Sequence, residues 1–282
     1  MSRVAIVTDS TADLPVEYYD KYNITVVPLS VVFEDKSYID DNKDIITEEF
    51  YSKLKTCKKL PTTTQPSPAD FIKAYSKLLE THESIVSIHI SKKMSGTSDS
   101  AEIARKDMGP DKDIVVIDSE LTTIALGLIV LKASQLAASN KSKEEILKAI
   151  FDIKAKMRTM FVPHTLEYLK KGGRIGRAKG LIASLLEIKP ILTLHLGEVS
   201  QYKTTRRWNQ AKNEILSSIK DLVKQEGKLI ISIADADLKE DGDEIMERIK
   251  DMFTPKELIR SKVGCIVGTH LGPAIAIAFY EE

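Results

Sequence analysis

Short runs of apolar, β-branched residues recur along the chain, separated by stretches with helical spacing. Residues 4–7 (Val-Ala-Ile-Val) read as a buried strand. A turn follows over 9–15, in which Asp13 is the expected helix N-cap and Pro15 belongs to the first turn. Residues 24–29 predict a second strand, 71–79 a helix, 84–90 a third strand and 114–117 a fourth. Val- and Ile-rich strands alternating with helices predict a mainly parallel sheet with helices on both faces. The stretch 121–138 is apolar nearly all round until Lys132, as a buried helix is, whereas 141–155 is amphipathic. Residues 157–163 read as the crossing into a second domain. Beyond it, helices are expected at 181–186, 211–225 and 243–252, and strands at 190–194, 228–234, 259–263 and 275–279.

The chain has 282 residues, and domains usually run to about 100–200 residues. Two α/β domains are therefore expected, at 1–160 and 161–282, with a ligand between or across them. Hydrophobic residues make up 43% and charged residues 29%, an ordinary globular composition. The 41 Lys and Arg balance the 41 Asp and Glu, so no global field draws nucleic acid or an anionic membrane. Cys57 and Cys265 lie far apart and outside any CxxC pair, which predicts neither a disulfide framework nor a zinc ribbon and points to a reducing, cytoplasmic location. The opening apolar run is too short for a signal peptide's core. The longest one, 124–131, falls well below the ~18 residues of a spanning helix.

Four segments place polar, turn-forming residues where strands are expected to end, the usual ligand edge of an open α/β sheet. Pro61-Thr62-Thr63-Thr64-Gln65-Pro66-Ser67-Pro68 sets three hydroxyls on a stiff backbone, and also reads as a loop whose Ser67 caps a helix. Ser91-Lys92-Lys93-Met94-Ser95-Gly96-Thr97-Ser98 follows a strand and opens a helix, which makes an anion seat or a plain helix start. Leu169-Lys170-Lys171-Gly172-Gly173-Arg174 turns tightly and places a guanidinium, or is a glycine turn with solvated cations. Gly268-Thr269-His270-Leu271-Gly272-Pro273 brackets a histidine with glycines at the mouth of a strand, and a lone histidine is often structural.

Several chemistries lack sequence support. The five histidines form no HxxxH or HExxH pair for a metal. Neither a GxSxG elbow nor a phosphate-binding GxxxxGK[ST] loop is present. Hydroxyls, an imidazole and an arginine beside apolar sequence suit holding an anion better than breaking a bond.

In their order, these segments resemble the DegV family, bacterial fatty-acid-binding proteins of the fatty acid kinase system. Ile6-Val7-Thr8-Asp9-Ser10-Thr11-Ala12-Asp13-Leu14 is similar to the family's opening. Thr63-Thr64-Gln65-Pro66-Ser67 matches its Thr-Ser-Gln-Pro-Ser segment, with Thr64 in place of Ser. Ser95-Gly96-Thr97, Asp118-Ser119, Gly172-Gly173-Arg174-Ile175 and His270-Leu271-Gly272-Pro273 follow, the last departing from the family by running into Ala274. The resemblance implies an α/β fold with a long-chain fatty acid threaded into the interior. It implies that Thr63, Ser95 and His270 hold the carboxylate, with Thr64, Gly96, Thr97 and Arg174 around the head group. It further implies a partner kinase that makes an acyl phosphate for phospholipid synthesis, and no cofactor or metal. Transient membrane contact during lipid exchange is also expected. Arg206 is the nearest match to the family's kinase-contacting arginine, and it adjoins Arg207 and the lone Trp208, residue types that dominate interface hot spots. Two rival readings stay open: an acyl hydrolase or acyltransferase with Ser95 as nucleophile and His270 as base, and a nucleotide-binding module.

Overall fold

The computed structural model describes residues 4–34, 36–184 and 188–282. From the N-terminus run β1 (Val4–Asp9), α1 (Val16–Lys21), β2 (Thr25–Val27), β3 (Ser30–Phe33), β4 (Lys36–Ile39), α2 (Thr47–Thr56) and β5 (Thr62–Thr64). Next come α3 (Pro68–Leu79), β6 (Ser84–His89), α4 (Thr97–Asp107), β7 (Ile114–Asp118), α5 (Thr123–Ala138) and α6 (Lys143–Lys156). The remainder is β8 (Arg158–Pro163), α7 (Glu167–Lys171), β9 (Lys189–His195), β10 (Glu198–Thr205), α8 (Trp208–Leu222) and β11 (Leu229–Ala236), then α9 (Lys239–Met252), β12 (Glu257–Lys262), α10 (Cys265–Leu271) and β13 (Ala274–Glu281).

The four strands β2-β1-β6-β7 form a wholly parallel sheet, as their Val- and Ile-rich composition predicts. Six strands in the order β10-β9-β8-β13-β11-β12 form a mixed sheet, antiparallel except for the β11–β12 pair. A small antiparallel sheet, β4-β3-β5, completes the described strands. Helix α5 is apolar on every side, and residues 123–131 are all buried. It packs against β1 and β6 of the parallel sheet and also against β11 and β13 of the mixed sheet. A single apolar cluster consequently runs from Val4 and Ile88 through Leu126 and Ile129 to Ala234 and Ala276. Helices α8 and α9 cover the far face of the mixed sheet, and α3 and α4 that of the parallel sheet.

Some local expectations are corrected. Asp13 does not cap α1: it ends a one-turn 3-10 segment at φ 49°, and Pro15 stands at the N-cap position of the helix. Residues 158–163 are a strand inside the mixed sheet, between β9 and β13, rather than a crossing. His270 belongs to the last turn of α10, not to the mouth of a strand. A 3-10 segment spans Gly176–Ser184 where helix was expected at 181–186, and Leu185 and Leu186 lie outside the described residues. The β3–β5 sheet, β10 and α2 were not anticipated. These strands are short or exposed, and their polar residues mask the two-residue period.

Ser67 does cap α3. Its Oγ accepts from the Asp70 N–H while Asp70 Oδ2 accepts from the Ser67 N–H at 2.9 Å, a reciprocal capping box with Pro68 in the first turn. Beneath it lies a wholly buried polar chain. Tyr75 donates to Ser87 Oγ at 2.7 Å, Ser87 Oγ meets His89 Nε2 at 2.7 Å, and His89 Nδ1 meets Asp9 Oδ2 at 3.0 Å. Each buried polar atom in that chain has a partner, which burial requires. Ser67→Ala is expected to cost about 1 kcal/mol, and Leu126→Ala, in the fully buried stretch of α5, about 3 kcal/mol. Urea unfolding of each variant checks both values.

Candidate functional site

An interior cavity opens at the N-terminal end of α5. Its volume is ≈ 80 Å³, several times the ~10–15 Å³ that one water needs. Ile90, Ile124, Phe161, Leu194, Leu271 and Ala276 give it an apolar lining, drawn from α5, α10, the mixed sheet and the turn after β6. Thr63, Ser95, Arg174 and His270 also line it. The chain folds these four together from positions more than 200 residues apart: Thr63 Oγ1 lies 2.9 Å from His270 Nε2, and Arg174 Nε donates at 3.0 Å to the carbonyl of Met94, beside Ser95.

Thr63 is delivered by β5, which pairs with β3 so that Thr63 stands opposite Val31. The two-residue period of a strand turns Thr62 and Thr64 the other way, and both are exposed. His270 is placed by α10. Its ring needs the space left by Gly172, where a Cβ would lie 2.3 Å from Nδ1. Nδ1 itself is buried with no hydrogen-bond partner. Burial, with the Arg174 guanidinium as the second cause, pushes the imidazole down to about 4, so the ring is neutral at physiological pH. Arg174 is exposed; its Nη1 donates to the Gly172 carbonyl at 2.7 Å, so one side chain ties the glycine turn to the Met94-Ser95 loop.

Ser95 ends the turn after β6, its N–H bonded to the Ser91 carbonyl at 3.1 Å and its Oγ 2.8 Å from Thr97 Oγ1. Thr97 therefore acts on Ser95 from behind and does not line the cavity. Gly96 stands at the N-cap of α4 and does not line it either. Gln65 joins the two loops, donating to the Gly96 carbonyl at 3.2 Å and to Ser100 Oγ at 2.9 Å. Sequence reasoning assigned Gln65 no role; its place beside the three threonines was the available signal. Thr122, Thr123, Thr159 and the strand residues Phe161 and Ala276–Ala278 were also missed, since they read as core or helix start. Ile124 and Ala125 of the unbroken apolar stretch and Leu194 of β9 complete the apolar wall.

Arg206 is not brought to the cavity. It sits exposed between β10 and α8, with its backbone N–H bonded to Gln210 Oε1 at 3.2 Å. Trp208 is half-buried and stacks edge-on against His164 with ring centroids 4.2 Å apart. No hydrogen bond joins Ser95 to His270. The Ser87–His89–Asp9 chain has the connectivity of a nucleophilic triad, but all three side chains are fully buried, so a substrate cannot reach them. Among the described residues, no group of three or more His, Cys, Asp or Glu is placed to hold a metal ion.

Fold and site together define an α/β protein with an apolar interior cavity whose entrance is lined by hydroxyls, a neutral imidazole and a guanidinium. The DegV family model matches residues 3–282, and the chain belongs to that family. A DegV domain-containing protein of Caldanaerobacter subterraneus subsp. tengcongensis is 38% identical, with 100% of both chains covered. A DegV family protein of Thermus thermophilus, solved as a fatty-acid-binding structure, superposes with a TM-score of 0.94 at 30% identity, covering 99% of this chain and 100% of its own. DegV of Bacillus subtilis, described as a fatty acid binding protein, gives 0.91 at 30% identity with 100% of both chains covered.

Two outcomes follow from the geometry. Gly172→Ala forces the His270 ring aside, and the Thr63–His270 contact is expected to be lost while the fold remains, as ring NMR shifts of His270 would show. His270 should also titrate near pH 4 in the folded protein and near 6.5 once unfolded. The unfolded chain then holds the extra proton between those values, so this residue's contribution makes stability fall as pH drops from about 6.5 towards 4. A ring titration midpoint near 6.5 in the folded protein would contradict the burial argument.

Proposed function

We propose that this chain binds one long-chain fatty acid, tail in the α5 cavity and carboxylate at Thr63, Ser95 and His270, and presents the acid to a kinase. The observation that carries the reading is the continuity of an apolar interior cavity with a cluster of anion-seeking donors that reaches the surface at Arg174. Fatty acid binding by the DegV structures of Thermus thermophilus and Bacillus subtilis supports the ligand class. Stearic acid in a Eubacterium ventriosum protein, 28% identical, supports the chain length.

The energetics agree. Burying ~14 methylenes at about 0.8 kcal/mol each is worth on the order of 11 kcal/mol before the costs of association. Taking the carboxylate out of water forfeits several kcal/mol. Hydrogen bonds to a charged group return about 1.5–3 kcal/mol each. With its proton on Nε2, neutral His270 donates to Thr63 Oγ1 and leaves the threonine's own hydrogen for the carboxylate. Ser95 supplies a second O–H. Arg174, exposed at the rim, adds positive charge without the expense of a buried cation. A neutral imidazole and two hydroxyls hold the acid without attacking it, so the chain serves as a carrier rather than an enzyme.

A carrier of this kind works in the cytoplasm, touches a membrane only to exchange lipid, needs no cofactor, and hands its acid to a kinase whose acyl phosphate feeds phospholipid synthesis. Arg206, exposed and free of any ion pair among the described residues, is the proposed kinase contact. The division at about residue 160 into two α/β domains completes this reading, since the mixed sheet begins at Arg158.

Native mass spectrometry followed by solvent extraction tests the proposal. One fatty acid per chain is expected, with Ser95→Ala and His270→Ala each weakening retention about 10-fold or more. Protein that is empty and takes up neither palmitate nor oleate would overturn it. Arg206→Glu is expected to leave lipid binding intact and to lower acyl-phosphate production by the kinase. Unchanged production would remove Arg206 from the docking surface.

A further inference from the structure

A second cavity of about 710 Å³ shares no lining residue with the acyl site. Its walls come from the turn after β1, from the segment between β4 and α2, and from the ends of β11 and β12. Leu14, Val16, Val26 and Pro28 give one wall apolar character, with the Tyr19 ring among them. The lining also carries cations that are already matched: Arg260 pairs with Asp235 at 2.5 Å and with Asp243 at 3.0 Å, and Lys262 pairs with Glu48.

Two carboxylates in the lining have no such match. Asp13 is only 8% exposed and Asp40 9%, and neither forms an ion pair among the described residues, although the Ser10 hydroxyl and the Cys265 thiol stand against Asp40. Asp13 Oδ2 is buried with no hydrogen-bond partner. The fold nevertheless holds this side chain in place. Its residue adopts a left-handed φ of 49°, its carbonyl accepts from the Ser261 hydroxyl, and Gly264 clears room where a Cβ would lie 2.5 Å from Oδ1. Burial raises both acids, Asp13 well above its ordinary value with Asp40 as the next cause, and Asp40 to about 6. Both acids therefore hold their protons more tightly than exposed ones do, and a bound cation stabilises their ionised form instead.

We propose that this cleft is a second ligand site, for a small organic molecule bearing one primary ammonium group, which Asp13 and Asp40 receive. A metal ion is disfavoured by ligand count, because among the described residues no three His, Cys, Asp or Glu side chains converge. The cleft's volume lies within the ~300–1,000 Å³ of small-molecule sites, and its apolar wall suits the stem of an alkylamine. Lys43 and Lys239 stand exposed in the lining and disfavour a ligand with several positive charges. The inference does not depend on the fatty acid reading.

Isothermal titration calorimetry with n-butylammonium, ethanolamine and choline, against potassium chloride at equal ionic strength, tests it. Saturable 1:1 binding of butylammonium or ethanolamine is expected, with choline, which has no N–H to give, at least about 10-fold weaker. Asp13→Asn is expected to weaken the amine about 10-fold or more. Should that variant fail to fold, Asp40→Asn carries the same expectation. Absence of amine binding beyond the salt control, equal binding of choline, or undiminished affinity in the folded variant would each overturn the proposal.

Discussion

The rest of the structure depends on a helix with no polar side. Along residues 123–131 of α5 every side chain is buried, so the helix is stable only if it is covered from all directions. One sheet offers one apolar face. Two sheets are therefore recruited, the parallel one through β1 and β6 and the mixed one through β11 and β13. That arrangement places the seam between the halves of the chain in the middle of the apolar core. Helix and sheets do not fill the seam near the helix start, and the acyl cavity lies there, lined by Ile124 and Ala125 on one side and by Phe161 and Ala276 on the other.

Polar groups at the entrance obey a second constraint, the expense of charge in such surroundings. Each is arranged to be neutral or to remain in water. His270 loses its positive charge to burial and to Arg174, Thr63 and Ser95 are uncharged, and Arg174 stays exposed while its donors engage main-chain carbonyls. The cluster presents hydrogen-bond donors without a buried ion awaiting a partner. The cleft lined by Asp13 and Asp40 is the reverse case, with buried acids that do not pair with the nearby Arg260 and Lys262, whose charges are matched by Asp235 and Glu48.

Residue type alone is a poor guide to role in this fold. Ser87, His89 and Asp9 form a connected serine–histidine–aspartate chain, yet their complete burial makes them a structural brace between β1 and β6. Ser95 and His270 line the same cavity but are bonded to Thr97 and Thr63 respectively. Access and partnership, rather than chemistry, separate the brace from the binding site.

Much of this was legible in the chain itself. The Val- and Ile-rich runs specified the parallel strands, the unbroken apolar stretch specified α5, and Ser67 specified the start of α3, because each signal is local: a period, a composition or a cap. Thr63, Ser95, Arg174 and His270 stood out as polar residues in turn-rich segments, and their order along the chain carried the family resemblance. What the chain could not express was convergence. That His270 faces Thr63 rather than Ser95, that Gly172 exists to clear the imidazole, that Gln65 locks two loops, and that 158–163 is an interior strand all follow from contacts between segments distant in sequence. Long-range packing decides such contacts, and one-dimensional periodicity does not record it. The cleft lined by Asp13 and Asp40 belongs to the same class, since an aspartate read as an ordinary helix cap became a buried acid, without an ion pair among the described residues, only when the end of β12 closed over it.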